Sequence, residues 1–171
     1  MKLLMMLSML LWAVVANSQE VHVSNGKGGT ALSVSAQKSY DIMASEKKTP
    51  VLAVQCSQKG KKSTHLVTFS PGGSVSEDNL EDAPKNGAIS LQVTIGGKKR
   101  ITSWIPWGDA VTFAYYGKTE PERIEFLRLL LDSPMISIQF TPFLTGTPVT
   151  STFDLSQLGD ELKNHPECAI N

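Results

Sequence analysis

Little in this chain announces chemistry. It has no nucleophile elbow, no G-x-x-x-x-G-K-[ST] phosphate loop and no dinucleotide fingerprint. Its three histidines, His22, His65 and His165, are scattered, with none of the spacing that metal ligands need. Charge of one sign is also missing. The 16 Lys+Arg balance the 16 Asp+Glu, which argues against a nucleic-acid binder working through a strongly basic face and against an acidic disordered tail. Cysteine is scarce, at two residues, and aromatics reach only 7%. What remains is a globular chain. Its 171 residues, 41% of them hydrophobic, suffice for one ordinary domain with a real core.

The N-terminus has the layout of a secretory signal peptide. Lys2 supplies a minimal positive charge, residues 3–16 are apolar apart from Ser8, and Ala16-Asn17-Ser18 offers small residues for cleavage between Ser18 and Gln19. The apolar run falls short of the roughly 20 residues a spanning helix needs. An uncleaved anchor helix is the alternative. Export predicts a periplasmic or extracellular protein with no integral membrane segment after cleavage. It also changes how the cysteines read. Two cysteines in an oxidising compartment favour the bond Cys56–Cys168, with two free thiols or a pairing between chains as the alternatives.

Residues 19–48 are rich in Ser, Gly and Lys and read as a flexible N-terminal segment. Within it, Leu32 and Val34 alternate with Ser33 and Ser35 and allow a short edge strand. The globular domain is expected over 49–171. Residues 51–56 form a short apolar run with β-branched members, a buried strand ending at Cys56, and 64–69 return as a second strand. Residues 89–95 alternate apolar and polar for seven positions, which requires one buried and one wet face. Gly96-Gly97 then signals a hairpin, because glycine accepts the positive φ a tight turn demands. Return strands follow at 100–105 and 111–115, with Pro106 expected to end the first.

Thr119-Glu120-Pro121-Glu122 is a capping box that opens a helix. Ile124, Leu127, Leu130 and Leu131 fall on one stripe, and Asp132-Ser133-Pro134 stops it. Strands at 136–140 and 149–153 should pair as a hairpin. Asp154 is placed to cap a short helix carrying Leu155, Leu158 and Leu162. The expected fold is α+β and mainly β: an antiparallel sheet or sandwich-like domain with two short helices packed on it.

Four stretches carry a family likeness. They are the 50–56 strand with its cysteine, the 89–105 hairpin ending in Trp104, Phe126-Leu127-Arg128-Leu129-Leu130 leading to Ile136-Ser137-Ile138, and Thr152-Phe153-Asp154-Leu155-Ser156-Gln157-Leu158 followed by Cys168. Over about residues 50–168 the chain resembles a family of bacterial exported envelope proteins that includes the type VI secretion-associated VasI-like proteins. That family commonly ends in Cys-x-Trp, whereas Ala169 and Ile170 follow Cys168 here. The resemblance implies an exported bacterial protein with a disulfide and implies no catalytic residues.

Two functions follow as expectations. The first is a non-enzymatic envelope protein, binding an unknown envelope protein or small ligand through a sheet edge or the Trp104/Trp107 region, possession of a metal or cofactor not being called for. Packing in a core corner is the plainer role for these two indoles. The second is an envelope hydrolase with a dispersed site drawn from Asp109, Glu77, Asp78 and His65, which demands a fold that brings carboxylates together. Glu77, Asp78, Glu81 and Asp82 lack calcium-loop spacing, and Lys98-Lys99-Arg100 reads as a charged hairpin tip.

Overall fold

The computed structural model describes residues 19–26, 29–43, 46–59, 62–75, 88–107 and 109–170. The proposed signal segment, 1–18, and the Glu77, Asp78, Glu81 and Asp82 loop lie outside the described residues. So does the side chain of Asp109.

Eleven described strands fall into two sheets. The strands β1 (His22–Gly26), β2 (Gly29–Ser35), β5 (Val51–Lys59), β6 (Lys62–Ser70), β7 (Ile89–Ile95), β8 (Lys98–Trp107), β9 (Asp109–Tyr115), β10 (Met135–Phe140) and β11 (Val149–Asp154) make one sheet, ordered β1-β2-β5-β6-β9-β8-β7-β10-β11. All its pairings are antiparallel. The strands β3 (Tyr40–Met43) and β4 (Glu46–Lys48) form a small ribbon beside it. The helices are α1 (Glu120–Leu131) and α2 (Leu158–Lys163), followed by a 3-10 turn at Pro166–Cys168. The fold is therefore mainly β with two short helices.

Alternation decides the layering. Along β7, Ile89, Leu91, Val93 and Ile95 are buried and the intervening residues are half-buried, so one face meets the core and the other meets solvent. Phe69 of β6 makes edge contacts with Trp104 of β8, Phe140 of β10 and Phe153 of β11, at centroid distances of 6.2, 5.4 and 6.2 Å. Those strands are spread across the strand order, so the sheet must curl around its own apolar face. The curl brings the two flanks together. The Gln37 amide, just past β2, donates to the Thr152 carbonyl of β11 at 2.8 Å.

The residues at 19–48 are a correction to the expectation of a flexible lead-in. They supply β1 to β4, with Leu32 and Val34 fully buried. The alternation noted at 32–35 is a strand with β1 on one side and β5 on the other, not an edge. Its small polar residues sit on the wet face, which is why composition alone hid it. From β5 onward the elements follow the expected order. The strand β8 runs on through Pro106 to Trp107, where its register with β9 shifts. Gly96 and Gly97 take φ of 55° and 73° at the β7–β8 turn.

Helix α1 begins as its sequence demands. Thr119 accepts from the Glu122 amide at 3.3 Å, while the Glu122 carboxylate reaches back to the Lys118 amide at 2.7 Å, one residue beyond the usual partner. Its buried stripe is Phe126, Leu127 and Leu130. Phe126 takes the place expected for Ile124 because it stacks on Tyr115 at 4.0 Å and meets Trp104 edge-on at 6.0 Å. Asp154 does not cap α2. Its carboxylate accepts from the Ser156 amide at 2.9 Å, forming a turn before the helix. Leu155, Leu158 and Leu162 are buried together.

Candidate binding cleft where the sheet parts

Pairing between neighbouring strands is uneven, and the unevenness makes the site. β5 and β6 pair from Val51↔Ser70 to Lys59↔Lys62. On its other side the described pairing of β6 with β9 is Thr68↔Ala114 and Phe69↔Phe113. Beyond Ala114 the chain stays on β8, with Tyr115 opposite Trp104 and the Tyr116 amide donating to the Ser103 carbonyl at 2.8 Å, then turns through Gly117 toward α1, while β6 continues without it. A cleft of about 480 Å³ occupies the gap, within the range of small-molecule sites. Its walls include Leu66, Ile105, Trp107, Tyr115, Tyr116 and Arg123.

Trp104 and Trp107 part company here. Trp104 is wholly buried, its indole N–H donating to Thr102 Oγ1 at 2.8 Å, and Thr102 in turn donating to the Leu91 carbonyl at 3.2 Å. It is a core residue with its polar group satisfied, so it cannot serve as a ligand platform. Trp107 is 46% exposed and Tyr116 is 38% exposed, both at the cleft. Tyr115 supplies part of the wall. Burial raises its phenol pKa, Glu122 and Glu125 raise it further, and Arg100 opposes them, so the phenol stays a neutral donor.

Arg123 is the one permanently charged residue among the described walls, and no described carboxylate lines the cleft. Its Nη1 donates to the Gly117 carbonyl at 2.9 Å. Gly117 is buried, and a Cβ there would stand 2.6 Å from Arg123 Cγ. Only a residue without a side chain lets the arginine cross the strand-to-helix junction at this depth.

The floor is tied to the C-terminus. Cys56 and Cys168 form a disulfide with Cα atoms 5.1 Å apart. His65, opposite Cys56 in the β5–β6 ladder, approaches the Cys168 carbonyl through Nε2 at 3.0 Å. A carbonyl only accepts, so Nε2 carries the proton in this contact, with Nδ1 on the other side of the ring. That Nδ1 is buried with no described hydrogen-bond partner. Thr30 donates to the Glu167 carboxylate in the same turn. This bond, with a backbone bond and His165, holds the Glu167 carboxyl below the usual carboxylate range.

Two other cavities carry less chemistry. One of about 760 Å³ lies among the end of α1, α2 and the C-terminal tail; Asp160 and Lys163 on its wall already pair at 2.7 Å, and no Trp, Tyr or Phe lines it. The other, of about 450 Å³, is polar and contains Thr30 and the already engaged Glu167. The larger volume is therefore the poorer candidate.

Of the residues singled out for a hydrolase, His65 is in the cleft, while Glu77, Asp78 and the Asp109 side chain lie outside the described residues. Among the described residues, no group of three His, Cys, Asp or Glu gathers to hold a metal. No described helix is long and apolar enough to cross a membrane. Sequence reasoning missed Arg123, Tyr115, Tyr116 and Gly117. Their only local signal was a glycine just ahead of the helix cap. No family model, curated protein or solved structure matches the chain.

Proposed function

We propose that this is an exported, non-enzymatic recognition domain of the bacterial envelope that binds its ligand or partner in the cleft between β6 and β9. One observation carries the reading. Trp107 and Tyr116 stand exposed beside apolar walls at the place where sheet pairing stops. An indole in that setting has an apolar body to contribute and a polar N–H to orient a ligand. Export is supported by the leader-like residues 1–18 together with the disulfide, which suits an oxidising compartment. The resemblance of residues 50–168 to VasI-like proteins supports an envelope setting, and membership in a secretion system is not carried over from it.

Affinity capture from the native envelope extract tests the reading, with Trp107→Ala as the paired bait. The expected result is a specific partner or ligand retained by the wild type and lost by the variant at unchanged thermal stability. Equal retention by both would remove the cleft from the function. N-terminal sequencing of the protein recovered from cells should begin at Gln19, and a chain that retains Met1 would remove the export step.

A further inference from the structure

We infer that the cleft takes a carboxylate carried on an apolar body, its anion held by Arg123 and its body laid against Trp107, Leu66 and Ile105. The inference rests on the reading of the cleft as a recognition site and names the chemistry it selects. A guanidinium presents five N–H donors in a fixed fork. The Gly117 carbonyl takes one through Nη1, which fixes the plane of the group and leaves donors for a ligand. A carboxylate matches that fork in shape and charge, and a charge-assisted pair is stronger than a neutral hydrogen bond.

The surroundings select the same class. Arg123 is the single fixed charge among the described walls and no carboxylate stands beside it there, so a cationic ligand finds no direct ion-pair partner, although Glu122 and Glu125 act on Tyr115 from outside the described walls. Among the described residues no carboxylate forms an ion pair with Arg123, and Glu122 accepts from the Lys118 amide at 2.7 Å. Tyr115 remains protonated and so can donate. The remaining walls are mostly apolar or aromatic, which rewards a hydrocarbon or aryl body over a sugar or a phosphate ester. Gly117 acts as a positioning residue, because any side chain at this point displaces the arginine stem.

Calorimetric titration of the oxidised protein tests the inference with two matched pairs of probes. The first pair is 3-phenylpropionate and its amide. The second is an N-acetylated pentapeptide ending in phenylalanine, with a free or an amidated C-terminus. An acid should bind about tenfold or more tightly than its amide. Arg123→Gln should erase that preference in a protein that still melts cooperatively, Arg123→Lys should restore part of it, and Gly117→Ala should reduce it. Preference confined to the free compound assigns the site to a small metabolite-like acid; preference confined to the peptide assigns it to a protein C-terminus; both bear out the inference. Equal binding of acid and amide, or a preference that survives Arg123→Gln, overturns it while leaving the cleft a recognition site. Failure of all four probes to bind overturns it too, and retention of a partner through Trp107 would still uphold the broader reading.

Discussion

The flank built from β8, β7, β10 and β11 and the seam between β6 and β9 treat the same kinds of residue in opposite ways. On the flank, β7 is paired from Ile89↔Trp104 to Ile95↔Lys98 on one side and along β10 on the other, and every inward side chain is covered. At the seam, the described pairing is confined to Thr68 and Phe69, and the chain turns off into α1. Trp104 belongs to the first region and Trp107 to the second, though both lie on β8. A paired strand has no room left for a ligand. A parted one exposes side chains that the curled sheet would otherwise cover.

The largest expected effect tests the flank. Trp104→Ala should cost about 3–5 kcal/mol, because it opens a cavity beside Phe69, Tyr115 and Phe126 and removes the indole donor to Thr102 Oγ1. Denaturant melts would measure it; a loss under about 1 kcal/mol would show that the core does not depend on this ring. Next comes the tie beneath the seam. Replacing Cys56 and Cys168 together by serine should cost about 2–5 kcal/mol, since the bond spans 112 residues and constrains the unfolded chain. The reduced wild type should melt with the double variant.

Smaller effects sharpen the contrast. Thr119→Ala removes the cap of α1 and should cost about 1 kcal/mol. Trp107→Ala should change stability by no more than about 0.5–1 kcal/mol, as an exposed residue off the core. If it destabilised as much as Trp104→Ala, the two regions would not differ. Least of all is a pH effect at the C-terminal turn. The folded Glu167 carboxyl titrates below its unfolded value, so its contribution is complete above the unfolded pKa and is lost as pH falls through the lowered folded one. Glu167→Gln should flatten that acid limb, the deficit against the wild type being present near neutrality and vanishing at the acid end, as followed by melting temperature against pH.

Much of the fold was legible because its signals are local. Residues 89–95 alternate without a break, Gly96-Gly97 can turn, and Thr119 with Glu122 can cap, whatever the rest of the chain does. The strand at 29–35 was harder, since its wet face carries Ser and Ala and only two of its three inward residues, Leu32 and Val34, are apolar. Pro106 misled because proline usually ends a strand, yet it is exposed here and β8 continues past it. The site itself was scarcely legible. Leu66, Tyr116 and Arg123 come from β6, the end of β9 and α1, and no spacing rule links them.

From β5 onward, the order of residues by itself determined which segments would be strand or helix and which face of each would be wet, because periodicity and capping act within a few residues. It also placed the two cysteines that parity and an oxidising setting would join. Tertiary structure alone decided that β6 and β9 would pair briefly and then part, that Trp104 would be enclosed while Trp107 stayed out, and that Gly117 would leave space for Arg123. Those outcomes depend on how a curled sheet closes on its core, a balance of contacts between strands far apart in the chain that no local pattern encodes.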